Sequence, residues 1–274
     1  MKIKKQTWTI PSFEEMNFRI SCTESFQKEH LLPDLSPHIH EECEIYVNLS
    51  GDISFFCNDH IYPMTRGDVL IARPGEYHHC VYRSNAAHQH YWILFDYEPN
   101  RPIWESFFRL PFENVLRPDY EQKEELLQLC EELLGTTLSE GERFSHFWSL
   151  MTILKRSHSV EQADHLIPKD FVTVLDYINT HIYEKITVSQ IAEKCFISTS
   201  TLERYFMKYT HSRPVEYIRH KKMTEAAELL RQGMSVSRTV EQLGYCDESY
   251  FIELFKKHFG TTPLQYKKHH QIKN

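Results

Sequence analysis

The sequence predicts an α+β protein of two domains, a β-barrel or β-sandwich in the N-terminal half and an all-α domain at the C-terminal end. Residues 21–95 consist of short β-branched and aromatic runs separated by turn residues, a spacing typical of a sandwich or barrel. Residues 187–266 carry a helical pattern that occurs twice, which indicates one structural unit built in duplicate. A chain of 274 residues with 41% hydrophobic content can bury a core in each domain.

Short strands are expected wherever β-forming residues lie between turn signals. Gly, Asp and Asn mark turns at residues 50–52, 58–59, 66–68 and 74–75. The strands predicted around these turns cover residues 43–49, 53–57, 68–72, 77–82 and 90–95.

Histidine and glutamate recur at even spacing in this β-rich region. His38, His40 and Glu44 alternate along one strand, so their side chains are expected on one face, and His78 follows the turn at residues 74–75. The arrangement resembles the two cupin motifs, whose ligands are two His and one Glu from the first motif and one His from the second. These groups suit a transition metal, but we favour a metal-free, cupin-like barrel that holds a small molecule. The candidate lining is His38, His40, Glu44, Tyr46, His78 and Trp92, of which Tyr46 and Trp92 could equally be core residues.

Two amphipathic helices are expected after the barrel. Residues 120–134 place six apolar side chains on one face, with Gly135 as the C-cap, and residues 142–157 form the second helix. These helices could pack on the barrel or form a dimer interface. The polar residues 158–167 are predicted to be a linker. The expected domains are therefore 1–157, with the barrel at about 20–115 and the helices at about 120–157, and 168–274.

The C-terminal domain begins with a helix at Pro168, because proline is favoured at the first helical position. Thr187 and Gln190 form a capping box for a short helix, and Ser198 caps the next one, which runs to about Tyr209. Two short helices joined by a tight turn indicate a helix-turn-helix, whose second helix enters the major groove of DNA.

The same pattern returns after a long helix at residues 214–231. Ser235 and Asp247 cap the two helices of the second copy. Leu202 and Phe206 correspond to Phe251 and Phe255, 49 residues later, as expected for two copies of one core.

The second copy carries a longer signature. It reads Gly244-Tyr245-x-Asp247-x-Ser249-Tyr250-Phe251-x3-Phe255-Lys256-Lys257-x2-Gly260-x-Thr262-Pro263-x2-Tyr266. This resembles the signature of the AraC/XylS family of transcription regulators, and the resemblance covers about 100 residues. It implies a double helix-turn-helix DNA-binding domain at 168–274 and an upstream cupin-like sensing barrel. It also implies double-stranded DNA, a small-molecule effector such as a sugar, and RNA polymerase as partners. A homodimer is implied too, formed through the helices of residues 120–157.

The residues expected to meet DNA lie on the outer sides of the second helix of each unit. Arg204 is the best candidate for reading a base, because its guanidinium matches guanine O6 and N7. Glu203 could accept from cytosine N4 or be a solvated carboxylate. Lys222, Lys256 and Lys257 are predicted to contact phosphates, with a solvated surface charge as the alternative for each. The full predicted set is Thr199, Ser200, Thr201, Glu203, Arg204, Lys208, Lys222, Glu248, Ser249, Tyr250, Lys256 and Lys257.

The charges divide unevenly between the two halves. Residues 167–274 hold 16 Lys and Arg against 12 Asp and Glu, whereas the rest of the chain holds 15 against 26. A basic part on an acidic body is common when one end meets a polyanion. The family often has Arg or Lys at the position of Glu253, and a carboxylate repels phosphate. Base reading is therefore expected more from the first unit than from the second.

The predicted function is a sequence-specific transcription activator that responds to a small molecule. No cofactor, membrane span, signal peptide or enzymatic activity is expected, and seven scattered Cys without a CxxC motif fit reduced thiols in a cytoplasm. Two alternatives stay open. One is a metal-dependent cupin enzyme fused to a helical domain, and the other is a regulator whose barrel only dimerises.

Overall fold

The computed structural model of the chain describes residues 2–10, 16–25, 40, 42–57, 59–84, 86–96, 114–163 and 167–270. Strands dominate the N-terminal half and helices the C-terminal part, which confirms the predicted fold class. Among the described helices, none combines the length and the apolar character needed to cross a membrane.

Two antiparallel sheets form the N-terminal domain. The larger has the strand order β1-β2-β8-β3-β6-β9-β10, and the smaller has the order β5-β4-β7. The strands are β1 (Lys2–Ile10), β2 (Met16–Ser25), β3 (Cys43–Ser50), β4 (Ile53–Cys57), β5 (His60–Met64), β6 (Val69–Ala72), β7 (His78–Tyr82), β8 (His88–Phe95), β9 (Val115–Arg117) and β10 (His158–Ser159).

The larger sheet has an apolar outer face covered by two helices, α1 (Tyr120–Leu134) and α2 (Glu140–Arg156). Ile45 of β3 lies opposite Ile93 of β8, and both belong to one buried cluster with Leu126 and Phe147 of the helices. Asp119 and Ser139 begin the helices with capping boxes. The apolar faces of α1 and α2 are therefore packed on the barrel, and dimerisation through them stays a prediction.

Residues 158–163, which we expected to be part of a linker, extend the barrel instead. His158 and Ser159 pair with β9, and the Val160 amide donates to the Val115 carbonyl at 2.9 Å. The Ala163 amide donates to the Ile61 carbonyl at 2.8 Å. Backbone pairing needs no apolar periodicity, so a polar sequence gave no sign of it. Residues 164–166 lie outside the described part of the chain.

The C-terminal domain contains two helix-turn-helix units joined by a long helix, as predicted. Pro168 is the N-cap of its helix, so that helix begins one residue later than expected. The helices are α3 (Lys169–Thr180), α4 (Val188–Lys194), α5 (Thr199–Tyr209), α6 (Pro214–Arg231), α7 (Val236–Gln242), α8 (Glu248–Phe259) and α9 (Pro263–His270). We call α4 and α5 the first unit, and α7 and α8 the second unit.

The two units have different buried cores. Leu202 and Phe206 of the first unit are fully buried in a cluster that also contains Phe56 of the barrel. Phe251 and Phe255 of the second unit are fully buried in a separate cluster of α6, α7, α8 and α9. The repeated helices thus differ in their packing, because among the described residues barrel side chains join the first core and not the second.

Candidate functional site

A carboxylate and two imidazoles converge inside the barrel. Glu44 on β3 places one oxygen, Oε2, 2.9 Å from His40 Nε2 and 3.0 Å from His78 Nε2. Glu44 and His78 are buried and His40 is half-buried. The structure therefore brings together three of the predicted lining residues. His38 lies outside the described residues.

The other ring nitrogens of these histidines show how their protons are placed. Nδ1 of His40 lies 2.7 Å from the Glu42 carbonyl, and Nδ1 of His78 lies 2.8 Å from the Glu76 carbonyl. A carbonyl only accepts, so both Nδ1 atoms donate, and in a neutral ring both Nε2 lone pairs face Glu44. A proton on one imidazole or a bound cation stabilises such a cluster. The three ligand atoms lie within 4.8 Å of one another, which suits a divalent metal.

Aromatic side chains continue the barrel interior beyond this cluster. Tyr46 lies opposite Trp92 in the strand register, and Trp92 Nε1 donates to Thr23 Oγ1 at 3.3 Å. Tyr46 stacks on His90 with ring centroids 4.4 Å apart, and its hydroxyl lies 2.6 Å from His88 Nε2. Both predicted aromatic residues therefore face the same interior as Glu44.

His88 and His90 are interior residues that sequence reasoning missed. They lie at even spacing from Trp92 on β8, so strand periodicity could have found them. Burial lowers the pKa of His88 to about 4, and burial followed by the nearby His88 lowers the pKa of His90 to about 3. Both rings are thus neutral at pH 7, and His88 Nε2 accepts the Tyr46 hydroxyl, whose pKa burial raises.

Unsatisfied polar atoms lie next to these rings. Asn48 shares its strand face with Glu44 and Tyr46 and is paired in register with His90. Its side chain is fully buried, yet neither amide atom has a hydrogen-bond partner among the described atoms, and the same holds for His90 Nδ1. A buried polar group without a partner costs about 1–3 kcal/mol, so this part of the interior is suited to a polar ligand.

The outer side of α5 carries the polar residues predicted to meet DNA. The Ser198 hydroxyl caps the helix by accepting from the Thr201 amide at 3.1 Å, and Thr201 Oγ1 lies 2.9 Å from the same hydroxyl. Arg204 and Lys208 are exposed, each near the ring of the following tyrosine. Thr199, Ser200 and Glu203 are also exposed. This surface leaves Arg204 accessible to a duplex, and its base-reading role stays a prediction.

The corresponding surface of α8 mixes hydroxyl, acidic and basic groups. Asp247 Oδ1 caps the helix by accepting from the Tyr250 amide at 3.1 Å, and the Tyr250 side chain is 51% exposed. The other predicted DNA-facing residues of this helix, Glu248, Ser249, Lys256 and Lys257, are exposed as well. Glu253 is also exposed, so a carboxylate lies on the face expected to approach DNA.

The position of Lys222 contradicts the predicted phosphate contact. The residue is only 8% exposed, and its Nζ donates at 2.7 Å to the carbonyls of both Glu184 and Leu243. The ammonium also lies 5.6 Å from the centre of the Tyr245 ring. Burial lowers the pKa of this lysine. The prediction is wrong because Lys222 joins the turn before α4 to the end of α7, and its charge is already satisfied.

The turn of the first unit contains a backbone conformation that its residue type disfavours. Phe196 has a φ of 57° and a side chain that is 96% exposed. The residue 48 positions later is Gly244, with a φ of 71°. A bulky residue in the left-handed region is strained by about 1–3 kcal/mol, whereas glycine is not. The first unit therefore retains a strained, solvent-facing Phe where the second has Gly.

Comparison with known proteins gives a consistent result over both halves of the chain. The AraC-like ligand binding domain model matches residues 32–157, and a helix-turn-helix domain model matches residues 191–269. The chain belongs to the AraC/XylS family of transcription regulators. In AraC/XylS terms, the barrel is the ligand-binding domain and the two helix-turn-helix units form the DNA-binding domain. The predicted family and the predicted class of function, a DNA-binding transcription regulator, are thereby confirmed.

Three AraC/XylS relatives illustrate the extent of the similarity. The transcriptional activator RhaR of Mannheimia succiniciproducens is 23% identical over 258 residues, covering 88% of this chain and 90% of its own length. The arabinose operon regulatory protein of Escherichia coli is 24% identical over 213 residues, covering 73% and 72%. The lactose operon transcription activator of Staphylococcus xylosus is 32% identical over 110 residues, covering 40% and 39%. The names of all three describe regulators of transcription or of an operon.

Proposed function

We propose that this protein is a transcription activator whose barrel binds a small, hydroxyl-rich molecule such as a sugar. The observation that carries the effector assignment is the buried Asn48 beside His90, because both side chains have polar atoms left to satisfy. A carbohydrate offers hydroxyls that both donate and accept, and the rings of Tyr46 and Trp92 offer apolar faces for stacking. The names of the arabinose and lactose operon relatives support a sugar.

The proposed DNA contacts are of two kinds, contacts to base edges and contacts to phosphates. Arg204 reads a base from the first unit, while Lys256 and Lys257 of the second unit contact phosphates. The protein acts as a homodimer in the cytoplasm and presents its DNA-bound form to RNA polymerase. Thr199, Ser200 and the remaining exposed residues of α5 and α8 position the helices in the groove.

A salt series with genomic fragments selected for binding to the purified protein tests the DNA-binding half of the proposal. The affinity must fall as salt rises, because phosphate neutralisation releases counterions, and a flat response would refute it. Arg204→Ala should cost about 1–3 kcal/mol of discrimination at one base pair, whereas the control Lys257→Ala should weaken all duplexes alike. Unchanged base preference in the Arg204 variant would remove that assignment.

Calorimetry against a panel of mono- and disaccharides tests the effector. The sharpest variant is Asn48→Leu, which replaces the unsatisfied amide by an apolar group of similar volume. This variant should leave folding unchanged or more stable, because an unpaired buried amide is removed. Binding of any sugar that the parent protein binds should be lost. A variant that binds the sugar normally would show that Asn48 does not line the effector site.

A metal-dependent cupin enzyme is the second candidate, and the convergence of His40, Glu44 and His78 on one point favours it. Metal analysis of gently purified protein separates the two proposals. Stoichiometric metal that is lost in Glu44→Gln would support a metal centre, and metal well below one equivalent would count against the enzyme.

A further inference from the structure

The smaller sheet of the barrel is buried on both faces, and the two faces belong to different parts of the protein. On the inner face, Phe55 of β4 and Cys80 of β7 join the cluster that contains Tyr46. On the outer face, Phe56 and Ile61 join the cluster that contains the first unit. Side chains alternate along a strand, so neighbouring residues serve the two faces.

The outer face is part of the core of the first unit. The ring centroids of Phe56 and Tyr77 lie 6.5 Å and 5.2 Å from that of Tyr217. The ring centroid of Tyr217 in turn lies 5.1 Å from that of Phe206. Phe206 is a fully buried residue of α5. The second unit belongs to a separate buried cluster without barrel residues among those described. Within the described part of the chain, packing therefore connects the sheet to α5 and not to α8.

Two hydrogen bonds fasten the sheet to the C-terminal end of α5. The Tyr77 hydroxyl donates to the Thr210 carbonyl at 2.9 Å, and His79 Nε2 donates to the Tyr209 carbonyl at 3.0 Å. These carbonyls belong to the last turn of the helix, where no intrahelical amide remains to satisfy them. The barrel thus supplies the hydrogen-bond donors that cap the C-terminal end of α5.

Two further contacts fix the sheet against the long helix α6. Lys221 Nζ forms an ion pair with Asp59, at the turn between β4 and β5. The Thr224 hydroxyl donates to the Gly75 carbonyl at 2.8 Å, in the turn before β7. Both turns flank the smaller sheet, so a shift of this sheet changes its contacts with α5 and α6 together.

We propose that the smaller sheet couples the effector pocket to the first helix-turn-helix unit. This inference rests on the proposed effector role of the barrel. His78 faces the pocket and contacts Glu44, while the next residue, His79, holds the end of α5. A ligand that engages His78 displaces β7, and the same strand movement reaches α5 through His79 and Tyr77. The second unit receives this movement only indirectly, through α6.

Hydrogen exchange on the full chain, without DNA or effector, tests the coupling. Tyr77→Phe removes only the hydroxyl, and amide exchange in the last turn of α5 should become about fivefold faster, as expected for one lost hydrogen bond. Exchange in α8 should not change. Equal acceleration in α5 and α8, or none in α5, would overturn the proposal.

A matched pair of pocket-face variants separates coupling from simple destabilisation. Ile53 on β4 and Leu70 on β6 are both fully buried in the barrel interior, but only Ile53 lies in the smaller sheet. Ile53→Val should accelerate exchange in α5, and Leu70→Val should not. The effect of Ile53→Val should be smaller in the Tyr77→Phe background, because His79 alone then links β7 to the end of α5 by a hydrogen bond.

An equal effect of the two valine variants on α5 would overturn the coupling route. Additive effects of Ile53→Val and Tyr77→Phe would overturn it as well. Neither measurement involves DNA or an effector. A flat salt series would therefore refute the proposed function without changing the hydrogen-exchange result. Unchanged hydrogen exchange in α5 would refute the coupling without changing the salt dependence of DNA binding.

Discussion

Lys222 provides the clearest test of how the DNA-binding domain is held together. Its ammonium donates to the carbonyls of Glu184 and Leu243, and hydrogen bonds to charged groups contribute about 1.5–3 kcal/mol each. Burying the ammonium costs part of this gain, since its pKa is lowered by burial. We therefore expect Lys222→Met to lower the free energy of unfolding by about 1–3 kcal/mol, measured by urea denaturation.

The same variant distinguishes a structural lysine from a phosphate contact. The slope of log affinity against log salt should stay unchanged in Lys222→Met, because no phosphate contact is removed. The control Lys257→Met, at an exposed position on α8, should reduce that slope by about 1 with little effect on stability. A reduced slope in Lys222→Met, with normal stability, would refute the structural interpretation.

Two further predictions concern the strained turn and the buried histidines. Phe196→Gly should raise the free energy of unfolding by about 1 kcal/mol, because relief of left-handed strain outweighs the extra chain entropy of glycine, whereas the control Phe196→Ala should not, as judged by urea denaturation. Acid should destabilise the protein between pH 6.5 and about 4, because burial lowers the pKa of His88 and of His258 to about 4, and the unfolded chain therefore binds protons more readily. The free energy of unfolding, measured across this range, should fall by up to about 1.4 kcal/mol per pH unit for each histidine.

Each of these two predictions, on the Phe196 turn and on the buried histidines, has an outcome that would contradict it. Equal stability of Phe196→Gly and Phe196→Ala would show that the turn is not strained. For the acid prediction, His258→Phe removes one of the buried neutral rings and should make the decline with falling pH less steep. A stability that is constant between pH 6.5 and 4, or a decline that His258→Phe does not change, would contradict the assignment of neutral buried rings.

Strand periodicity was enough to predict which side chains face the pocket. The even spacing of His40, Glu44 and Tyr46 puts them on one face whatever the exact strand ends are. His88 was missed because the predicted strand began at residue 90, whereas β8 begins at His88. His90 lay inside the predicted strand, at even spacing from Trp92, and the same periodicity places it on the pocket face. The error for His88 lies in the strand boundary, which local patterns define poorly.

Other parts of the site depend on contacts that no local pattern encodes. His79 lies on β7 and Tyr77 directly precedes it, in a sheet that is buried on both faces, and the sequence does not reveal that a second domain covers the outer face. Lys222 occupies a polar position on α6 and is buried between the turn before α4 and the end of α7. β10 forms through backbone pairing alone, so its side chains give no signal. Long-range packing decided each of these cases.

Under the proposed DNA contacts and the proposed coupling, the two helix-turn-helix units have different tasks despite their shared pattern. The first unit combines the exposed Arg204 with a core that includes Phe56 of the barrel, so the proposed base reading and the proposed signal from the pocket would meet in one helix. The second unit has a core of its own, and the exposed Glu253 faces the side where phosphates would lie. An effector that shifts the smaller sheet would then change sequence-selective binding more than non-specific binding. Under this division, the second unit, with its exposed Lys257, keeps the protein on DNA whether or not the pocket is filled.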